Sequence, residues 1–426
     1  MRNTIVWIYS LVMAGLVPLL KLLARFVPKL RPQMENRDIH SADRKLLAAK
    51  RSRKKYGAMF FCSSAGEYEQ AKPIIGRLEE KDYFCLIVFF SASGYNFAKA
   101  RGESTSFILA PSDTVWAWGE LFSAVQPEFS IVVRHELWPA FLSTAKGWGA
   151  VYLIDGSWSG KKPTLLQRLI KSWVVGFFDR VYVVSDQDAE AFVANLSIPK
   201  ERVRVCGDTK YDRVKERAME QQETIASLQA QLKRFGDRKR FVMGSAYVQD
   251  MDVCLEAFRS YPKMRDWQIV VAPHHLEEEL FKKIELKAKA FDWHCCRYSQ
   301  LAKQAPGEEY DVIIFDVMGQ LAELYGCSDA AWVGGAMHHQ VHNVLEPACH
   351  GVPLAFGPKH LNSVEAAKLI RLGIATSLSG PGEFIKWLNN TVDSAEDHKR
   401  HLQSSIDKLS GAGDCITKDI TVSTYN

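Results

Sequence analysis

A chain of 426 residues exceeds one ordinary core and sets a prior of two domains. Its 54 Lys and Arg against 49 Asp and Glu leave a charge of +5, too small and too dispersed for a nucleic-acid binder, and 47% apolar with 24% charged residues excludes wholesale disorder. Nine Cys, an odd count with no Cys-x-x-Cys pair, fit neither a disulfide framework nor a structural zinc site and point to a reducing cytoplasm.

From Asn3 to Leu20 the chain carries no charge and is rich in Ile, Val, Leu, Met and Ala. As a helix this run spans roughly 27 Å, close to the hydrocarbon core of about 30 Å. It is longer than the apolar part of a cleaved signal sequence, and no Ala-x-Ala site follows. A membrane anchor is therefore predicted over residues 1–30, single-pass. Lys21, Arg25, Lys29, Arg31 and Arg37 follow the run while only Arg2 and the amino terminus precede it, so the body is placed in the cytoplasm. Residues 31–56 read as a basic linker. Its Arg44, Lys45, Lys50, Arg51, Arg53, Lys54 and Lys55 are either a solvated face or a patch drawn to anionic lipid.

Short apolar runs then alternate with amphipathic stretches. Strands are predicted at Ala58–Cys62, Cys85–Phe90, Phe129–Val133, Val151–Ile154, Val181–Val184 and Val203–Cys206, with helices between them. Continuous apolar strands separated by helices describe a parallel sheet covered on both faces. The alternation breaks over a polar helical stretch and restarts at Phe241–Gly244, Trp267–Ala272, Val312–Phe315, Ala330–Val333 and Leu354–Phe356. The predicted domains are thus 57–212, an interdomain segment 213–238, and 239–426: two α/β halves with ligands expected at the carboxyl ends of the strands.

Four motifs can carry chemistry. Ser63-Ser64-Ala65-Gly66-Glu67 has the Ser-x-x-Glu spacing of a capping box, and Glu67 could equally face a ligand as a base. Arg134-His135-Glu136-Leu137-Trp138-Pro139 follows a strand, with a simple Arg134–Glu136 ion pair as the plain alternative. Gly207-Asp208-Thr209-Lys210-Tyr211-Asp212 ends the first half and offers a lysine to an anion or to solvent. Gly334-Gly335, followed by His338, His339, His342 and Asn343-Val344-Leu345-Glu346-Pro347, reads as strand, glycine loop and helix start, the arrangement that cradles phosphate. Asn343 and Glu346 have cap spacing. The histidines lack the partners that would complete a metal site. Walker, Gly-x-Gly-x-x-Gly and Gly-x-Ser-x-Gly motifs are absent.

In this order, together with Ala272-Pro273-His274-His275 and Asp316-Val317-Met318-Gly319-Gln320-Leu321, these motifs resemble the 3-deoxy-D-manno-octulosonic acid (Kdo) transferases, from the anchor to about residue 375. The resemblance implies a GT-B fold, two Rossmann-like domains facing a cleft. It implies a metal-free, cofactor-free, inverting enzyme at the bacterial inner membrane that uses CMP-Kdo and a lipid A precursor. The first domain would take the acceptor and the second the CMP-sugar. Carried over by position, Glu67 is similar to the family's base, and Glu136 and Lys210 to its stabilising pair. Pro273, His274, Met318, Gly319, Gln320, Asn343, Val344, Leu345 and Glu346 are similar to its CMP-binding segments. The chain departs from the family pattern at Arg134 (usually Glu), at His274 (usually Arg) and around Ala246. Competing readings are another GT-B transferase or epimerase, and a degenerate membrane-bound lipid or glycan binder.

Overall fold

The computed structural model describes residues 2–27, 41–101, 105–134, 136–158, 160, 163–305, 307–361, 363–393 and 395–425. His135, and Lys29, Arg31 and Arg37 of the basic segment, lie outside them. The chain forms two compact units, Met1–Arg213 with Ser410–Asn426, and Val214–Leu409.

The first unit is built on a parallel sheet ordered β3-β2-β1-β4-β5-β6-β7. Its strands are β1 (Tyr56–Cys62), β2 (Tyr83–Phe89), β3 (Ser106–Leu109), β4 (Phe129–Val133), β5 (Ala150–Gly156), β6 (Arg180–Val183) and β7 (Val203–Val205). β1, β2 and β4 are buried almost throughout, which is why they read as unbroken apolar runs. Strand β3 escaped the sequence reading because only four residues mark it. The second unit repeats the plan with β8 (Lys239–Ala246), β9 (Trp267–Pro273), β10 (Cys295–Arg297), β11 (Val312–Ile314), β12 (Ala330–Val333), β13 (Leu354–Phe356) and β14 (Ala375–Ser377), in the order β10-β11-β9-β8-β12-β13-β14. In both sheets the order turns back beside the first strand, which opens the ends of neighbouring strands to a ligand.

Three boundaries differ from expectation. Residues 410–426 return to the first unit: the helix Ala412–Tyr425 buries Ile416 and Ile420 among Phe60, Tyr68 and Tyr83. Asp419 accepts from Tyr182 Oη at 2.7 Å and pairs with Arg180 and Arg204. An amphipathic helix far from its sheet carries no sequence mark of which sheet it covers. The segment from Val214 joins the second unit, where the helix Gln222–Lys233 buries Ile225, Leu228 and Leu232. The basic segment contains a helix, Ser41–Arg51, with Leu47 in the core. Arg44, Arg51 and Lys54 pair with Glu120, Glu128 and Asp82 of the first unit, so part of this basic block is already neutralised.

The cysteine reading is corrected as well. Cys206, beyond β7, is disulfide-bonded to Cys415 of the last helix. A separation of 209 residues leaves no spacing to recognise.

The apolar helix Arg2–Ala24 is long and apolar enough to cross a membrane. It is not free-standing. Val6, Ser10 and Ala24 are buried on one side, Ser10 Oγ accepts from Val115 N at 3.2 Å, and Trp7 meets Trp116. The opposite side exposes Ile5, Ile8, Leu11, Val12, Leu19 and Leu22. The helix Leu165–Val175 likewise leaves Leu165, Leu166, Leu169 and Ile170 exposed.

Candidate functional site

In the first unit Glu67 and Glu136 follow the carboxyl ends of β1 and β4, adjacent strands at the centre of the sheet, and Lys210 follows β7 at its edge. The helix Ala65–Glu79 follows β1 and starts at N-cap Ser64, whose Oγ accepts from Glu67 N at 3.3 Å. The cap is therefore real. The Glu67 carboxylate is used differently from a capping box: it accepts from Ser63 N, one residue before the cap, and not from Ser64. Burial raises the Glu67 pKa and the negative charge of Glu136 adds to this; the Ser63 hydrogen bonds and Arg134 oppose it. A half-buried carboxylate with raised proton affinity beside a second carboxylate is the environment of a general base.

Glu136 is held by its own motif. Trp138 Nε1 donates to Glu136 Oε2 at 2.5 Å, and the Trp138 ring packs on Phe61 and Phe90. Pro139 opens the helix Pro139–Trp148, where its missing N–H costs nothing. The next donors find Asp113, which accepts from Ala140 N at 3.3 Å, Phe141 N at 3.0 Å and Trp118 Nε1 at 2.8 Å. The Arg134–Glu136 ion pair, the plain alternative for this motif, is not among those formed by the described residues. Arg134 instead sits in the left-handed region, φ 62°, with its Nε buried and unpartnered.

Lys210 lies in the first turn of the helix Thr209–Glu220. Its backbone N–H donates to Asp208 Oδ1 at 2.9 Å. Asp212 accepts from Gly411 N at 2.9 Å and Ala412 N at 3.1 Å, tying this motif to the last helix. Sequence reasoning missed Asp155 at the end of β5, 1% exposed, and Asp113. A single Asp closing an all-apolar strand, Val151–Ile154, is the signal that could have found Asp155.

In the second unit the candidates follow β11, β9 and β12, with β8 between β9 and β12. Pro273 ends β9, and His274 N–H donates to Ala246 O at 3.1 Å. That backbone bond seats the His274 ring beside the end of β8. Tyr247, His274 and His342 stack, with centroids 4.4 Å apart for the two histidines and 4.9 Å for Tyr247 and His274. His338 also stacks on Tyr247, at 5.5 Å. Burial first, and neighbouring histidines second, lower the pKa of His274 and His342, so both rings are neutral near pH 7. Among the described residues no group of three His, Cys, Asp or Glu could hold a metal.

The glycine loop is built for close approach. A Cβ on Gly334 would lie 2.2 Å from Ser245 O, and one on Gly335, φ 95°, 2.2 Å from Gln340 O. Asp250, missed from sequence and fully buried, accepts from Gly335 N at 2.9 Å, Tyr247 N at 3.0 Å and Trp332 Nε1 at 3.0 Å. The expected phosphate cradle is corrected in one respect: the helix Leu345–Cys349 does not start at the glycines but after an intervening loop. Its N-cap is Val344, and Asn343 Oδ1 accepts from Leu345 N at 3.1 Å, so the cap that the Asn343–Glu346 spacing allows is not formed, although the Asn343 side chain hydrogen-bonds Glu346. Glu346 lies 3.8 Å from Arg217, and burial raises its pKa against the pull of Arg217 and Asn343. Met318, 80% exposed, and Gly319, φ 86°, form an open turn before Gln320 and the helix Leu321–Gly326.

A family model described as 3-deoxy-D-manno-octulosonic-acid transferase (kdotransferase) matches residues 40–213. The chain is 27% identical to a 3-deoxy-D-manno-octulosonic acid transferase of Chlamydophila psittaci, over 81% of this chain and 79% of that protein. It is 25% identical to one from Haemophilus influenzae, over 84% and 82%. A bifunctional glycosyltransferase/methyltransferase of Fusobacterium nucleatum is 26% identical over 80% of this chain, which spans about half (53%) of that longer protein. Among solved structures, UDP-GlcNAc 2-epimerase from Neisseria meningitidis has a TM-score of 0.60 at 12% identity, covering 86% of this chain and 99% of that one. A glycosyltransferase from Rickettsia africae has a TM-score of 0.56 at 13% identity, covering 86% and 99%. These two likenesses establish the GT-B type of fold.

Proposed function

We propose that this glycosyltransferase, a relative of the Kdo transferases of lipopolysaccharide synthesis, moves Kdo from CMP-Kdo to a lipid A precursor with inversion at the anomeric carbon. The observation that carries the reading is the Glu67 carboxylate, half-buried near Glu136 and held by Ser63 at the end of β1. A lipid hydroxyl cannot ionise near pH 7, so its proton must leave during attack, and Glu67 takes it. Glycosyl transfer develops positive charge on the sugar and negative charge on the departing phosphate. Glu136, fixed by Trp138, opposes the first, and Lys210 the second.

Donor binding falls in this reading to Pro273, His274, Met318, Gly319, Gln320, Asn343, Val344, Leu345 and Glu346 of the second unit. Neutral His274 can donate one ring N–H to a phosphate oxygen, a weaker contact than the arginine of the family pattern. The first unit serves the acceptor. Attachment to the cytoplasmic face of the inner membrane uses the outward row of the helix Arg2–Ala24. Among the described residues of this helix Val6, Ser10 and Ala24 alone are buried, so most of its uncharged apolar length is left for lipid, as a single crossing of the bilayer requires.

The test is donor choice. Purified protein with a lipid A precursor should release CMP from CMP-Kdo and leave UDP-sugars intact. Turnover of a UDP-sugar, or binding of Kdo-lipid without CMP release, would replace this reading by the epimerase-like or binder alternative.

A further inference from the structure

Strand β5 ends on an acid that the mechanism above does not use. Asp155 is buried, adopts φ 52°, and sits where the β5–β6 register shifts between Leu153 and Gly156. Asp tolerates the left-handed region better than most residues, and a bulge there re-aims the side chain out of the strand alternation. Both carboxylate oxygens are used. Oδ1 accepts from Thr209 N at 3.0 Å; Oδ2 accepts from Thr209 Oγ1 and from Gln70 Nε2, the latter at 3.3 Å. Thr209 begins the helix that carries Lys210, and Gln70 is one turn along the helix that carries Glu67. Gln70 Nε2 also reaches Asp208 Oδ1 at 3.4 Å, the same oxygen that accepts from Lys210 N.

We propose that Asp155 is a positioning residue: it locks the first turn of the Lys210 helix to the Glu67 helix, so that base and cation are held in one register. The inference rests on the role given to Lys210 above. The charged groups around Asp155 fit it. Asp208 lies on the loop before Lys210, and Arg134 follows β4 at the position beside Asp155, because Val133 pairs with Ile154. Burial first, then Asp208, raises the Asp155 pKa, and Thr209 and Arg134 oppose the shift. An acid so placed, with every oxygen engaged by the two helices, serves geometry and not proton transfer to substrate.

A double-mutant cycle in the full chain decides it. Steady-state transfer from CMP-Kdo to lipid acceptor is measured for Asp155→Ala, Lys210→Ala and the pair. Asp155→Ala is expected to lower kcat by about tenfold or more, with KM for donor within about threefold, because misplacement spoils transition-state contacts before ground-state ones. In the Lys210→Ala background the same change should cost less than about twofold, since the group it positions is gone. Asp155→Asn, which keeps an acceptor for Thr209 N, should recover part of the loss. Wild-type kcat in Asp155→Ala, or an equal loss in both backgrounds, overturns the proposal. If Lys210→Ala alone leaves kcat unchanged, it is the catalytic assignment of Lys210 that fails, and the positioning role falls with it. Should Asp155→Ala not fold, Thr209→Val removes the hydroxyl side of the same contact and is read by the same cycle.

Discussion

Glu67 shows how one side chain can satisfy two demands at once. Its backbone N–H is capped by Ser64, while its carboxylate is held by Ser63 and lies within the field of Glu136. Glu67→Gln keeps the shape and can still accept from Ser63, so the fold should survive with a melting temperature within a few degrees, about the effect of 1 kcal/mol or less. The amide cannot take a proton, and turnover should fall by roughly 10²–10⁴. The pH profile follows from the sign of the shift. A base acts when ionised; a raised pKa means protonation sets in at higher pH than for an ordinary glutamate. Transfer should therefore decline as pH falls through that raised value, and the residual rate of Glu67→Gln should lack this acidic limb. Transfer by Glu67→Gln within about threefold of wild type, against the loss expected of a missing base, would leave the Glu67 side chain with its structural bond to Ser63 alone.

Among the elements, two helices present apolar rows that no core absorbs. Leu11 and Leu19 on the first helix, and Leu166 and Ile170 on Leu165–Val175, are all more than half exposed. Replacing these four by Glu removes no buried contact, so thermal stability should stay nearly unchanged. Each charge opposes burial in lipid, and binding to vesicles containing anionic phospholipid should be lost in co-sedimentation. Undiminished binding would assign attachment to another surface. Replacing Val6 instead would disturb the packing of the helix on its own unit, a different defect. The sequence displayed the apolar run plainly, but hydropathy alone does not distinguish the side that buries Val6 and Ser10 from the side left exposed.

For the whole molecule, the two α/β sheets were legible because their central strands, such as Phe129–Val133 and Ala330–Val333, are apolar on both faces. Short edge strands, Ser106–Leu109, Cys295–Arg297 and Ala375–Ser377, were not, since three or four half-buried residues give no period to read. The motifs offered Glu67, Glu136 and Lys210 as candidates, but the acids that support such loops, Asp113, Asp155 and Asp250, stood alone in sequence and acquired meaning only from distant backbone N–H groups. The return of the last helix to the first unit was likewise hidden. It can be checked by Ile416→Ala, which should cost about 2–5 kcal/mol. In hydrogen exchange the amides of β1 and β2 should lose protection while those of β8 and β9 keep theirs. Loss confined to β8 and β9 would return residues 410–426 to the second unit.

The central claim is the transfer itself, and the mass of the lipid product tests it most directly. After incubation of the full chain with a lipid A precursor and a CMP-Kdo generating system, mass spectrometry should find the lipid heavier by whole Kdo residues. The product should be absent when CMP-Kdo is left out and strongly reduced with Glu67→Gln. Lipid recovered at its starting mass, with protein shown to be folded and CMP-Kdo present, would contradict the account.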